Sequence, residues 1–309
     1  VAVACMEIAS KYKVPHFFAQ GATEVVNEKV NSDPEKYGYW TTKGWPTPQK
    51  LAAGYVFALD YLMMNKMWEP ETKKAAVYGE DTDWGRSYGE ALRELLAESG
   101  WEIETEDYYP VEQSEFFPLA NRYKEKGIAL IAGAVATPAT IAAFLKQIKE
   151  TGLKSLIIAD GLAWVGEWYQ LTGDASDYVL DQNLLWSTEK MIIFRDEFMK
   201  KYGNEPSKVG GPLVYDYTKF FIRILQYTFD TYGELTSENI YKVAREKVWT
   251  GELTYTDGLV MKEYKYTLEN KPDMELGENY FMWPVVQYYK GETTIIWPES
   301  WKTGEFMTP

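Results

Sequence analysis

The alternation of apolar and polar segments is clearest in the middle of the chain. Four segments there are predicted strands: the short apolar runs 73–78, 128–134 and 154–159, and the segment 101–109. Segments with helical periodicity lie between them, at 84–99, 116–126 and 140–151. Strands that alternate with helices in this way predict a parallel sheet with helices on both faces.

The flanking segments repeat this pattern less regularly. A strand is predicted at 14–19, and a hairpin of two strands at 280–289 and 294–297. Helices are predicted at 1–12, 47–64, 191–202, 211–232 and 237–246. A chain of 309 residues exceeds one ordinary core, so the pattern favours two α/β lobes. Because the chain opens inside a helix-like run that needs a packing partner, we expect the first lobe to be incomplete at its N-terminus.

Charge limits the partners that this chain can bind. The net charge is −14, from 32 basic and 46 acidic residues. Nucleic acid and anionic membrane surfaces both require a surplus of Lys and Arg, so neither is expected as a partner. No apolar stretch has the length of a transmembrane helix.

The chain offers little material for catalysis. It has one cysteine, Cys5, and one histidine, His16, so no internal disulfide, zinc cluster or Ser-His or Cys-His pair is expected. A Rossmann-type enzyme would carry a Gly-x-Gly-x-x-Gly run after a strand, and residues 78–89 have none. We therefore predict neither an enzyme nor a cofactor.

In doubly wound sheets, ligands bind in the loops that follow the carboxyl ends of the strands. These loops are 20–25, 79–85, 135–140 and 160–168. The residues in them are the first candidates for a binding site.

Several segments resemble one known family when they are taken in chain order. They are the strand and loop Val14–Thr23, the turn Asp83-Trp84-Gly85-Arg86, the helix end Thr151-Gly152-Leu153-Lys154 and the hairpin from Pro284 to Glu299. They are similar to the type I periplasmic binding proteins of the leucine/isoleucine/valine-binding and amide-binding family. The resemblance implies two doubly wound Rossmann-like lobes joined by three crossing segments. We place lobe 1 at 1–70 and 190–284, and lobe 2 at 71–189 and 285–309.

The same resemblance implies a function. It predicts the solute-binding subunit of an ABC importer, a monomer that holds one small solute between its lobes and delivers it to the permease. The implied location is periplasmic or extracellular, with a lipoprotein anchor as one option. A branched-chain amino acid is the first solute to consider, and an amide or aromatic acid is the second. The alternative function is a ligand-sensing domain of the same fold in a regulator or receptor.

Gly21, Ala22 and Thr23 form the first candidate group. The resemblance implies that their backbone N–H groups and the Thr23 hydroxyl hold a ligand carboxylate or amide oxygen. The alternative is a strand-exit loop in which Thr23 caps the helix that follows.

Asp160 and Trp84 are the main candidates in lobe 2. Asp160 ends a predicted strand, and an acidic residue occupies the matching place in the family's branched-chain amino-acid binders, so it is expected to pair with an ammonium group. The alternative is a turn or helix-capping Asp. Trp84 lies where the family has an aromatic wall.

Four further residues are candidates from their positions. Tyr78, Thr137 and Trp164 lie at strand ends or in the loops after them, and Tyr215 matches an aromatic position at the start of a family helix. With 12 Trp and 24 Tyr in the chain, packing in the core is the alternative for each aromatic residue.

Overall fold

The structure is a computed structural model that describes residues 2–17, 19, 21, 23–38, 43–134, 136–164, 168–208, 210–277 and 279–309. The chain divides into two compact units. Unit 1 comprises Val1–Thr47 and Trp186–Met282, and unit 2 comprises Pro48–Leu185 and Trp283–Pro309.

Unit 2 contains a sheet of seven strands in the order β2-β1-β3-β4-β5-β6-β7. The strands are β1 Lys74–Glu80, β2 Glu102–Tyr109, β3 Leu130–Ala134, β4 Leu156–Asp160, β5 Leu180–Gln182, β6 Val285–Tyr289 and β7 Glu292–Trp297. The pairs among β1 to β5 are parallel, whereas β6 and β7 pair antiparallel. This confirms the predicted parallel sheet and the predicted terminal hairpin, and it adds β5, which the sequence pattern did not predict.

In the described part of unit 2, five α-helices accompany this sheet. They are α4 Pro48–Met64, α5 Asp83–Glu98, α6 Phe117–Lys126, α7 Pro138–Glu150 and α8 Trp168–Thr172. One core cluster joins side chains of α6 and α7 to Ala76, Tyr78 and Ile131 of the sheet. Successive strand side chains point to opposite faces, so the alternate residues Ala75 and Val77 face the other side, where α5 packs against β1.

Local signals in the sequence explain where these helices begin and end. The Thr82 hydroxyl accepts the Gly85 N–H at 3.0 Å and so caps the first turn of α5. Helix α6 ends at Gly127, whose φ of 67° is a conformation that glycine adopts without strain. The predicted hairpin turns through Lys290 and Gly291, both at positive φ, as a two-residue turn between antiparallel strands requires.

Unit 1 is built mainly from helices in the part of the chain that the structure describes. They are α1 Ala2–Tyr12, α2 Glu24–Ser32, α3 Pro34–Tyr37, α9 Glu189–Tyr202, α10 Gly210–Tyr232 and α11 Ser237–Val243. The strand predicted at 14–19 is wrong where it is described, because residues 14–17 form no strand. A strand needs a neighbour to satisfy its backbone groups, and the described part of unit 1 offers only isolated bridges.

The division of the chain differs from the predicted lobe boundaries at α4. The predicted boundary at residue 70 assigns this helix to lobe 1, but it lies in unit 2 and packs along α5. Two side chains explain this placement: Tyr55 reaches Asp160 at the end of β4, and Gln182 of β5 donates to the Leu51 carbonyl at 3.0 Å.

A buried ion pair organises unit 1. Lys43 and Asp273 are both fully buried, and the Lys43 Nζ lies 2.8 Å from the Asp273 Oδ1. The other carboxylate oxygen of Asp273 accepts the Thr47 N–H at 3.0 Å, and Lys43 also donates to the Asn27 side chain at 2.6 Å. The ion pair and its hydrogen bonds thus connect residues 27, 43 and 47 to residue 273, far away in the sequence.

We expect Lys43→Met to destabilise unit 1 by about 3–5 kcal/mol, because it leaves the buried Asp273 carboxylate without its cation. Chemical denaturation followed by fluorescence measures this loss. The control is Lys190→Met, which removes the exposed ion pair with Asp257 and should cost less than about 1 kcal/mol. Equal losses in the two variants would contradict the importance of the buried pair.

We expect Gly85→Ala to destabilise unit 2 by about 1–3 kcal/mol. A Cβ at Gly85 would lie 2.1 Å from the Glu80 carbonyl oxygen, so α5 would have to move away from the end of β1. Urea denaturation tests this, with Ser87→Ala of the same helix as the control for helix propensity. A Gly85→Ala protein as stable as the control would show that this close approach is not required.

Candidate functional site

A buried carboxylate lies at the carboxyl end of the central strand β4. Asp160 is the last residue of β4, pairs in register with Ala134 of β3 and is 7% exposed. The hydroxyl of Tyr55, from α4, donates a hydrogen bond to the Asp160 Oδ1 at 2.7 Å. Helix α4 therefore holds the side chain that fixes one oxygen of this carboxylate.

A second carboxylate, Asp181 of β5, lies beside the first and is fully buried. Its Oδ1 lies 3.5 Å from the same Tyr55 hydroxyl. The turn after β4 wraps around it: the N–H groups of Gly161 and Ala163 each donate to Asp181 at 2.9 Å. Gly161 has a φ of 92°, which favours glycine, and this conformation follows directly after Asp160.

The two carboxyl groups lie side by side without a basic partner among the described residues. Neither Asp160 nor Asp181 forms an ion pair with a Lys, Arg or His among the residues that the structure describes. Burial, and after it the charge of Asp181, raise the pKa of Asp160 to about 7, while the Tyr55 and Tyr88 hydroxyls lower it. A cation placed beside Asp160 would restore the ionised form.

Two aromatic side chains of α5 lie near Asp160, one fully buried and one half-buried. Tyr88 is fully buried, and its hydroxyl lowers the pKa of Asp160. This hydroxyl forms no ordinary hydrogen bond with any described group. The ring of Trp84, half-buried in the first turn of α5, lies 5.0 Å from the Tyr88 ring. The half-buried Trp84 ring offers an apolar surface near this carboxyl group, and the buried Tyr88 ring packs against it.

Thr137 lies at the same end of the sheet, after β3. Its N–H donates to the Glu80 carboxylate, at the end of β1, at 2.8 Å. Its half-buried side chain makes no capping hydrogen bond to α7. The structure thus brings Trp84, Thr137 and Asp160 to the carboxyl ends of neighbouring parallel strands, in agreement with the rule for doubly wound sheets.

Tyr78 does not belong to this group. It is fully buried, its ring lies 4.5 Å from Phe144 of α7, and its hydroxyl donates to the Ile158 carbonyl at 3.0 Å. Its place in the core follows from its position two residues before the end of β1. We do not include it in the site.

The remaining candidates are less defined. Trp164 closes a short 3₁₀ turn after β4, and its side chain lies outside the described residues, as does all of Ala22. Gly21 and Thr23 lie in unit 1, where Thr23 stands at the N-cap of α2 without the side-chain hydrogen bond of a cap. Tyr215 is 40% exposed on α10, with its ring 5.1 Å from that of Phe194. Ligand contacts at these positions stay predictions.

The sequence analysis missed Asp181, Tyr55 and Tyr88. The segment Val179–Leu185 places Asp181 within an otherwise largely apolar run, and a charged residue there is a signal of a buried polar group. Tyr55 and Tyr88 lie on amphipathic or apolar helices, and nothing in the sequence distinguishes them from core tyrosines. Only the packing of α4 and α5 brings them to Asp160.

The described residues contain no group of His, Cys, Asp and Glu side chains suited to a metal ion. None of the described helices combines the length and the apolar character needed to cross a bilayer.

The fold is shared with solved structures of low sequence identity. A putative branched-chain amino acid ABC transporter protein from Silicibacter pomeroyi has a TM-score of 0.78 at 18% identity, with 99% of this chain and 78% of that chain covered. A branched-chain amino acid ABC transporter protein from Thermus thermophilus with bound valine has a TM-score of 0.65 at 15% identity, covering 99% and 75%.

A solute-binding protein from Rhodopseudomonas palustris, in complex with 3,4-dihydroxybenzoic acid, has a TM-score of 0.66 at 19% identity, covering 96% and 74%. No curated protein is similar in sequence at a significant level. The family model described as periplasmic binding protein matches residues 1–267. The chain therefore belongs to the periplasmic binding protein family, whose members bind solutes outside the cytoplasm.

Proposed function

We propose that this chain is the solute-binding subunit of an ABC importer and that it binds the ammonium group of an amino acid at Asp160. The observation that carries the proposal is a buried carboxylate, at a strand end, without a basic partner among the described residues. Burying such a charge is unfavourable unless a cation joins it. An amino acid supplies that cation, and delivery to a permease follows from the same assignment.

The aromatic surface beside Asp160 favours a solute with an apolar side chain. The half-buried Trp84 ring provides it on the α5 side of the site, and the buried Tyr88 ring packs against Trp84. A branched-chain amino acid presents an ammonium group and an apolar side chain on the same carbon atom. It thus matches both features of the site.

An aromatic acid is less compatible with this site. Its carboxylate, placed at this end of the sheet, would face Asp160 and Asp181, and like charges at short range disfavour binding. An aromatic acid would therefore have to present its ring or its hydroxyl groups to Asp160. One structural neighbour binds 3,4-dihydroxybenzoic acid, so this compound is the appropriate competitor in the experiment.

We expect Asp160→Asn to weaken amino-acid binding at least about thirtyfold, because an ammonium group would lose its buried ionic partner. Isothermal titration calorimetry with L-leucine and L-valine measures the change, with Asp174→Asn as the control for loss of one exposed carboxylate. Asp160→Asn should also unfold at no lower temperature than the wild type, because it removes a like-charge contact with Asp181.

Two outcomes would contradict this function. One is full amino-acid affinity in Asp160→Asn. The other is a wild-type protein that binds 3,4-dihydroxybenzoate in a thermal-shift screen while amino acids leave its melting temperature unchanged, since a ligand of the folded state raises that temperature.

A further inference from the structure

The hydrogen bonds of Asp181 fix its charge state. Its Oδ1 accepts the N–H groups of Gly161 at 2.9 Å and of Gln182 at 2.8 Å. Its Oδ2 accepts the Ala163 N–H at 2.9 Å and the Tyr288 hydroxyl at 2.7 Å. An ionised carboxylate is an acceptor only, whereas a protonated one needs an acceptor for its own proton. The three backbone groups can only donate, so they favour the ionised form. Burial raises the pKa of Asp181 above its ordinary value, while these N–H groups and the Tyr288 hydroxyl lower it. No backbone donor to Asp160 is described, so we assign the negative charge of the pair to Asp181.

Asp160 is the member of the pair that exchanges a proton. Its described hydrogen bond is the one from Tyr55, at 2.7 Å. A tyrosine hydroxyl can donate to an ionised Asp160 or accept from a protonated one, so this contact is compatible with both states. The negative charge of Asp181 disfavours a second charge beside it, and a proton on Asp160 relieves the repulsion.

Asp181 also sets the position of Asp160. The turn that it holds through Gly161 and Ala163 begins at the residue directly after Asp160. Gln182, the neighbour of Asp181, donates to the Leu51 carbonyl of α4, the helix that carries Tyr55. The backbone after Asp160 and the helix that supports its side chain are therefore both held from β5.

We propose that Asp181 is a positioning residue for Asp160, and that its buried charge makes solute binding at Asp160 release a proton. Asp181 acts through Asp160 and its turn, without touching the solute. The part of this inference that concerns the solute rests on the proposed function, whereas the coupling between the two carboxylates does not.

The groups that face Asp160 come from every element packed against it. They are Asp181 of β5, Tyr55 of α4, Tyr88 of α5, Tyr288 of β6 and Tyr78 of β1. The pKa values of the four tyrosines are raised well above the ordinary value, chiefly by burial, so they stay neutral at physiological pH. Asp160 is left as the group of this set that titrates near neutrality, with a pKa of about 7.

The sign of the pH dependence follows from this. Below its pKa, Asp160 is protonated and must lose a proton before it can pair with an ammonium group. Above its pKa, it is already ionised and the affinity no longer changes. For one proton and a pKa of about 7, we expect solute affinity to be about tenfold weaker at pH 6 than at pH 8.

The coupling is tested first in the ligand-free full chain. A ¹³C NMR titration of the Asp side-chain carboxyls gives the Asp160 midpoint, with Asp160→Asn identifying the signal. We expect Asp181→Asn to lower this midpoint by at least about one pH unit, because the neighbouring charge is gone. We expect Tyr55→Phe to raise it, because its hydroxyl favours the ionised form of Asp160.

Asp216→Asn is the matched control. Asp216 of unit 1 is also fully buried and accepts two backbone N–H groups and a tyrosine hydroxyl, from Leu259, Val260 and Tyr264. Its replacement removes the same kind of carboxylate but should leave the Asp160 midpoint unchanged. If Asp181→Asn does not fold, the wild-type midpoint of Asp160 remains the test of its titration beside a second charge, and its rise in Tyr55→Phe tests the assignment of the titrating group.

Calorimetry with L-leucine from pH 5 to pH 9 then tests the linkage to the solute. If Asp181 had a purely structural role, Asp181→Asn would weaken binding equally at every pH. The proposal requires instead that, in each variant, the pH midpoint of the affinity equals the Asp160 midpoint from NMR. An Asp160 that titrates at an ordinary aspartate value, or midpoints that both variants leave unchanged, would overturn the proposal. Coupled NMR midpoints in a protein that binds no amino acid would instead overturn the proposed function alone.

Discussion

The capture of the buried Asp181 carboxylate by backbone N–H groups is the interaction on which the rest of unit 2 depends. Three amides and the Tyr288 hydroxyl surround it, and two of the amides belong to the turn that follows Asp160. Burying an anion costs free energy unless hydrogen-bond donors of this kind surround it. The hydrogen bonds to the anion in turn hold these backbone amides in place. The central strands, the turn after β4 and helix α4 thereby share one electrostatic centre.

This centre explains how a family fold becomes a site with a preference. The parallel strands bring Trp84, Thr137 and Asp160 to one end of the sheet, as doubly wound sheets do for many different ligands. The fold alone does not determine the sign of the charge on the ligand that such a site binds. In the proposed function, two adjacent carboxylates without a basic partner among the described residues set that sign, and they favour a solute that supplies a cation.

Sequence periodicity predicted most helices and strands of unit 2, because each has a regular apolar face and a glycine or a cap at its end. Strand β5 escaped prediction because it has three residues, two of them polar. Residues 14–17 were predicted as a strand because they are mainly apolar. Whether a neighbouring strand is present to pair with them cannot be predicted from this segment alone. Asp160 and Trp84 were predicted as site residues from position and resemblance. Asp181 and Tyr55 were not, since their roles depend on contacts 20 and 105 residues away in sequence.

A crystal structure of the full chain with a bound branched-chain amino acid tests the central claim most directly. The account predicts the ammonium nitrogen within about 3 Å of an Asp160 carboxylate oxygen, with Asp181 still held by its backbone N–H donors. It also predicts the apolar side chain of the solute against Trp84. A bound amino acid whose ammonium group lies away from Asp160, or whose carboxylate faces it, would contradict the account.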